Sequence, residues 1–353
     1  MSTMSIYACG GAGINLLKDF VHLPQDNEVP YYPTVRKYAL DTSDSNIRDL
    51  PADVKSFLVP GLRGAGKKRQ QAFEGVNDHV NAMLVDHKPS DYNLVMFSAS
   101  GGSGSVLGPL VIAELLRRGA NVISIVVGST YSGIEAKNTL RTLETLQTMA
   151  MGKATGGRPI MMIYQENAAS NSKNSEGHLG SRPEIDTRVE EIVRQLGLLF
   201  CGAHHELDHT DLVNWLDHSR NHNDIPSQLI EVLPFKQNLG GAPEWQGTAL
   251  SALEGTVIST ASLLKSDGDE VPSLGQPYSC VGYYDAHVWG AKDLPNFHFV
   301  TSATRIGQIM GSIEMAIRGY DSVRENLATA TPVGVHQVVD KGDRTVDDSG
   351  MVF

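Results

Sequence analysis

The chain has 353 residues, room for two domains of ordinary size, and its 41% hydrophobic and 20% charged content excludes a disordered polymer. A net charge of −11 speaks against a general nucleic-acid-binding surface, and three widely spaced cysteines, Cys9, Cys201 and Cys280, against a disulfide framework. No apolar run is long enough to span a bilayer and no signal peptide opens the chain, so a cytosolic protein with no membrane partner is expected.

Residues 5–9 read as a strand that turns at Gly10-Gly11-Ala12-Gly13 into a helix. As a dinucleotide fingerprint the turn is incomplete, because Leu16 stands where the third Gly belongs. Residues 37–40 form a second strand, ending in Asp41-Thr42-Ser43. An acid there holds ribose hydroxyls in a Rossmann enzyme, and is equally a common helix cap. Residues 57–61 then lead into Leu62-Arg63-Gly64-Ala65-Gly66-Lys67-Lys68. Most of a P-loop is present, but Lys68 occupies the position that needs a hydroxyl for magnesium. Residues 70–85 read as helix.

Residues 93–109 carry the clearest signal. The unbroken apolar run Leu94-Val95-Met96-Phe97 predicts a buried strand, and the helical spacing of 106–118 predicts a helix. Between them lies Ser98-Ala99-Ser100-Gly101-Gly102-Ser103-Gly104-Ser105. A strand, a Gly/Ser loop and a helix N-terminus together make an anion site, with backbone N–H groups aimed at the ligand. Residues 122–127 are a further buried strand, followed by a loop and Glu135; residues 159–164 are another, closing on Gln165-Glu166-Asn167. Six strands alternating with helices imply a doubly wound, mostly parallel α/β sheet, with its ligand at the strands' C-terminal ends.

Residues 170–181, rich in Asn, Ser and Gly, read as an exposed loop. Pro183 opens a long helix with Ile185, Val189, Ile192, Val193, Leu196, Leu199 and Phe200 at helical spacing. Next comes His205-Glu206-Leu207-Asp208-His209, which satisfies the zinc-hydrolase pattern H-E-x-x-H. That pattern needs helix through all five residues, whereas Gly202 breaks the chain and Asp208 suits a cap of the following helix. Beyond it, 228–235, 278–284 and 297–301 read as strands and 248–264 as a helix. A last helix, 305–326, carries the stripe Ile306, Ile309, Ile313, Ile317, Tyr320 and Val323. Residues 331–353 read as a polar, extended tail.

Ser100 to Ser105 closely resemble the tubulin/FtsZ signature loop GGGTG[ST]G, with Ser100 for the first Gly and Ser103 for Thr. Gly64-Ala65-Gly66 resembles the GxGAGxxP loop of that family, and Glu206-Leu207-Asp208-His209-Thr210-Asp211 its synergy loop N-x-D-x-x-D, with Glu206 for Asn. The resemblance covers most of residues 5–327. The loose glycine loops and the lack of a long linker before a terminal peptide favour the phage- and plasmid-borne branch over a bacterial division FtsZ.

The resemblance implies a GTP-binding domain over 1–182, a central helix over 183–203 and a synergy loop with its following helix over 204–224. A smaller α+β C-terminal domain over 225–303, a C-terminal helix over 304–327 and an acidic tail over 328–353 complete it. Nucleotide contacts are then expected from Gly10, Gly11, Gly13, Asn15, Asp41, Gly64, Ala65, Gly66, Ser100, Gly101, Gly102, Ser103, Gly104 and Ser105. Glu135 would meet the ribose, unless it is only a first-turn acid. Asn167 would read the guanine, with Asp186 near the base. Asp208 and Asp211 would be catalytic.

The implied ligands are GTP or GDP, with Mg2+ held through phosphates and water and no protein ligand. The implied partner is the chain itself, in head-to-tail protofilaments whose synergy loop enters the next subunit's site. Mutation of Asp211 should leave filaments that do not turn over. The tail would dock on a neighbouring subunit, and DNA of a phage or plasmid would be cargo only through an adaptor, in the host cytoplasm if the chain is phage-encoded. A division protein, an H-E-x-x-H zinc hydrolase and a Rossmann oxidoreductase are the alternatives.

Overall fold

The computed structural model describes residues 2–18, 20, 23, 32–66, 69–167, 183–200, 209–220, 227–237, 257–259, 296–302, 305–330, 346–347 and 350–352. Its strands are β1 (Thr3–Cys9), β2 (Thr34–Asp41), β3 (Val54–Leu58), β4 (Tyr92–Ser98), β5 (Val122–Gly128), β6 (Ile160–Glu166), β7 (Leu229–Gln237), β8 (Val257–Ser259) and β9 (Asn296–Ser302). Its helices are α1 (Gly10–Lys18), α2 (Asp44–Ile47), α3 (Arg69–Val76), α4 (Val80–Asp86), α5 (Gly104–Arg117), α6 (Gly133–Met151), α7 (Pro183–Phe200), α8 (His209–Leu216) and α9 (Arg305–Ala330).

Among the described residues the strands form a single sheet in the order β3-β2-β1-β4-β5-β6-β7-β9-β8. The run from β3 to β7 is parallel, and β9 pairs antiparallel with both β7 and β8. Parallel strands covered on both faces need apolar side chains on both, which is why β4 and β5 are unbroken hydrophobic runs. Val95, Phe97 and Val126 face a layer made by α3, α4, α5, α6 and the start of α9. Leu94, Met96, Ile123 and Ile125 face the opposite layer, made by α1, α7 and α8. Each fully buried Leu, Ile or Phe side chain contributes about 1.5–3 kcal/mol to these layers.

The expected long helix is α7, and Val189, Val193 and Leu196 on it are fully buried. At its end Phe200 stacks on Tyr92, ring centroids 4.1 Å apart and planes 5° apart. The expected helix 70–85 is divided into α3 and α4 by a 3-10 turn at Asn77–His79.

Three expectations change toward the C-terminus. Val257–Ser259 is strand inside the segment 248–264 expected to be helix. Val and Ile are β-branched, and the free edge of β9 supplies ladder partners, so tertiary pairing overrides the helical spacing. Val323, assigned to an apolar stripe, is 58% exposed, whereas Ile306 and Ile313 are buried. The tail, expected to be extended, closes on itself at its tip through a bridge between Val346 and Val352. The loop 170–181 and the strand 278–284 lie outside the described residues.

Candidate functional site

A parallel sheet places its βα loops along one edge, and there β1, β4, β5 and β6 open onto a cavity of about 600 Å3. That volume suits a ligand of nucleotide size. The β1–α1 turn supplies Gly10, Gly11 and Asn15, the β4–α5 loop supplies Ser100 to Gly104, and Glu135, Asn167 and Asp186 close the remaining sides.

The two glycine turns touch backbone to backbone. Gly10 has φ +73°, and a Cβ there would stand 2.5 Å from the amide N of Gly104. A Cβ on Gly104 would in turn stand 2.8 Å from the carbonyl oxygen of Cys9. Gly13 does not line the cavity; a Cβ there would meet the Met96 carbonyl at 2.5 Å, so this glycine lets α1 lie against β4. Gly101 differs from all three. It has ordinary φ, and the first protein atom a Cβ would meet is 3.9 Å away.

Beyond Gly102 the chain enters α5. Ser103 makes no side-chain cap to it; its hydroxyl lies 2.6 Å from that of Thr42 instead. The amides of Val106 and Leu107 donate to Ser103 O, which leaves Gly104 at the cavity as the open end of α5, and no acid occupies that first turn. This is an anion-binding geometry, strengthened by the helix dipole. Ser105 is turned away from it. Its hydroxyl donates to Gly102 O at 3.0 Å, and its carbonyl accepts from Arg69 Nη1 at 2.9 Å.

Asp41 lies beside the site and not on its wall. Its carboxylate accepts from the Thr42 amide and from Asn46 Nδ2, each at 2.6 Å. Burial raises its pKa above the usual carboxylate value, and those hydrogen bonds pull the other way. Gly64, Ala65 and Gly66 are also off the cavity wall. Gly64 donates its amide to Thr42 O at 2.9 Å, which ties that loop to the end of β2.

Glu135 stands both in the first turn of α6 and on the cavity wall. In the first turn of α6 its amide donates to the capping hydroxyl of Ser132, and its Oε2 accepts from Ser129 Oγ at 2.9 Å. The carboxylate is thereby fixed on the cavity wall. Asn167 donates its amide to Gly128 O at 2.8 Å, and it lines the cavity together with Asp186 in the first turn of α7. Lys18, Ser98 and Ser129 also line the cavity and were not singled out from sequence. Ser98 and Ser129, polar residues at the ends of apolar strands, carried a usable signal; Lys18 at the end of α1 carried none.

Asp208 and Glu206 lie outside the described residues, as does the side chain of Asp211. The helix carrying Asp211 is described. His209, its first residue, places Nδ1 2.8 Å from the hydroxyl of Tyr92. Tyr92 begins β4, and the signature loop follows Ser98 at the other end of that strand. Six residues of strand separate the two by about 20 Å. The start of α8 and the cavity are therefore at opposite edges of the sheet. His209, the second histidine of the zinc pattern, is engaged with Tyr92, and no group of three or more metal-binding side chains occurs among the described residues.

No family model matches the chain. It is 28% identical to a phage tubulin-like protein of Pseudomonas phage 201phi2-1, over 97% of this chain and 96% of that one. It is 29% identical to a phage tubulin-like protein of Pseudomonas phage phiKZ, over 99% and 97%. Among solved structures, a protofilament of TubZ from bacteriophage PhiKZ superposes with TM-score 0.68 at 24% identity, and the GDP form of the phage tubulin PhuZ with TM-score 0.69 at 24% identity. Both superpositions cover 100% of each chain. With the Gly/Ser loop lying at a helix N-terminus on the carboxyl edge of a parallel sheet, the chain has the fold of these tubulin/FtsZ-like structures and is similar over its full length to the phage tubulin-like proteins.

Proposed function

We propose that this chain is a GTPase that assembles head-to-tail into filaments and hydrolyses GTP only where one subunit's α8 edge closes the next subunit's cavity. The observation that carries this reading is the separation of about 20 Å between the start of α8 and the cavity of the same chain. The start of α8 is too far from the cavity of its own chain to act there, whereas head-to-tail stacking would bring that edge against the next cavity.

In this reading the amides of Ser100 to Gly104 hold the phosphates, Glu135 takes the ribose and Asn167 reads the guanine edge by donating and accepting. Mg2+, held by phosphate oxygens and water, supplies charge neutralisation. Asp208 and Asp211 of the neighbouring subunit orient the attacking water. The GDP bound in the PhuZ structure and the protofilament formed by TubZ support both halves of the proposal. Cytoplasmic filaments that position phage DNA or segregate a plasmid through an adaptor, with the tail contacting a neighbouring subunit, complete it.

The test is Asp211→Ala. The variant is expected to bind GTP and pellet as filaments, while phosphate release falls by about tenfold or more. Filaments of this variant that disassemble in GTP as fast as the parent would refute the assignment of Asp211.

A further inference from the structure

The β5–α6 loop, Ser129 to Ser132, holds Glu135 from both of its ends. Ser129 donates its hydroxyl to Glu135 Oε2 at 2.9 Å, and the Ser132 hydroxyl accepts the Glu135 amide at 3.3 Å. Ser129 is itself fixed: its amide donates to Thr139 Oγ1, and that hydroxyl donates back to Ser129 O, each at 3.1 Å. Thr130 donates its hydroxyl to Glu166 Oε1 at 3.0 Å, and Glu166 immediately precedes Asn167 on the cavity wall.

Between the two serines lies the dipeptide Thr130-Tyr131, and it is gripped from far along the chain. Tyr320, on α9, shares its hydroxyl proton between Thr130 O at 2.7 Å and Tyr131 O at 2.9 Å. The two helices are in contact here, since a Cβ on Gly133, the first residue of α6, would stand 3.5 Å from Tyr320 Cβ. Lys137 Nζ and Asp321 Oδ1, 3.1 Å apart and both about half exposed, add a surface ion pair that contributes little. In the sequence Tyr320 reads as one more member of an apolar stripe. In the structure it is 39% exposed, and both partners of its hydroxyl are in the loop.

We propose that Tyr320 is a positioning residue for the cavity: by clamping the Thr130-Tyr131 backbone it holds Glu135 in the orientation that accepts ribose hydroxyls. It thereby sets how strongly the site prefers a nucleotide that carries both of them. Tyr320 does not line the cavity, so its action passes through the loop. The path is short. It runs from the α9 hydroxyl to the dipeptide, then one residue to either side, to Ser129 and Ser132, then by one hydrogen bond from each to Glu135. A carboxylate offers acceptors only, which suits two hydroxyl donors. A wall group fixed before the ligand arrives also binds more tightly than one the ligand must order, because the ordering cost is already met. Without the Tyr320 hydroxyl, the two carbonyls lose their donor, the serines flanking them are less fixed, and Glu135 is less fixed with them.

The inference rests on the guanine-nucleotide reading of the cavity, and the experiment separates the two. Affinities for GDP and for 2′,3′-dideoxy-GDP are measured by calorimetry on the full-length parent, Tyr320→Phe, Glu135→Gln and the double variant. The parent is expected to prefer GDP by about tenfold or more, because hydrogen bonds to a charged group are the strong ones. Tyr320→Phe keeps the ring against Gly133 and is expected to lower that preference at least about threefold. A general loss of stability weakens both ligands alike and leaves their ratio unchanged. In the Glu135→Gln background Tyr320→Phe is expected to change the ratio no further, as for two residues acting in series. An equal ratio in parent and Tyr320→Phe, or a further fall in the double variant, overturns the role of Tyr320 and leaves the nucleotide reading intact. A parent that binds both ligands equally overturns the ribose role of Glu135 and the inference with it, and a parent that binds no GDP overturns the guanine-nucleotide reading.

Discussion

Gly10 and Gly101 both border the cavity, and the sequence presents them as equivalent small residues. The structure distinguishes them. Gly10 needs a positive φ and has the Gly104 backbone 2.5 Å from where its Cβ would be, whereas Gly101 has open space. Gly10→Ala is therefore expected to cost about 2–4 kcal/mol in denaturant unfolding, from overpacking and a left-handed backbone. Gly101→Ala is expected to change unfolding by less than about 0.5 kcal/mol and to weaken GTP binding, because only a bound ligand competes for that space. Glu231 gives a second test at this scale. Burial pushes its carboxyl up to about 7, against the pull of Arg305 2.8 Å away. Its folded-state pKa lies above the unfolded value, so its contribution is complete below about pH 4.5 and is lost as pH rises through about 7. Between pH 5 and 8 the parent should lose up to about 3 kcal/mol through this group, and Glu231→Gln should remove that share of the slope.

Whole elements follow the same logic of burial and capping. The hydroxyl of Ser132 caps α6 and also fixes the turn in which Glu135 sits. Ser132→Ala is expected to cost about 1 kcal/mol in thermal or chemical unfolding. It should weaken GTP binding further than that loss explains, because Glu135 is no longer held on the wall. Elements buried on both sides were the legible ones. The runs Leu94 to Phe97 and Val122 to Val127 have no reading except buried strand, and the stripe from Val189 to Phe200 fits helix alone. The Gly/Ser loop between β4 and α5, which lines the cavity, was legible for a related reason, since few other structures need so many small residues together. What stayed illegible depends on partners distant in sequence. Val257–Ser259 becomes strand because β9 lies beside it, and the tip at Met351 folds because Arg69 and Thr145 receive it. Asp41, read as either a ribose ligand or a cap, is held by Asn46 and Thr42, and no local pattern announces that arrangement.

At the scale of the molecule, α7 runs for 18 residues, and its part from the cavity wall at Asp186 to the stack of Phe200 on Tyr92 spans about 21 Å. It carries the chain from the cavity edge of the sheet to the edge where α8 begins. The cavity and the start of α8 thus lie at opposite ends of each subunit, and in the proposed function a second subunit brings them together. The most direct test is phosphate release from GTP as a function of protein concentration, with pelleting of the same samples. The account predicts a threshold below which neither phosphate nor pellet forms and above which both rise together. Release proportional to protein from the lowest concentrations, with no pellet, would show that one chain holds a complete site and would contradict the account.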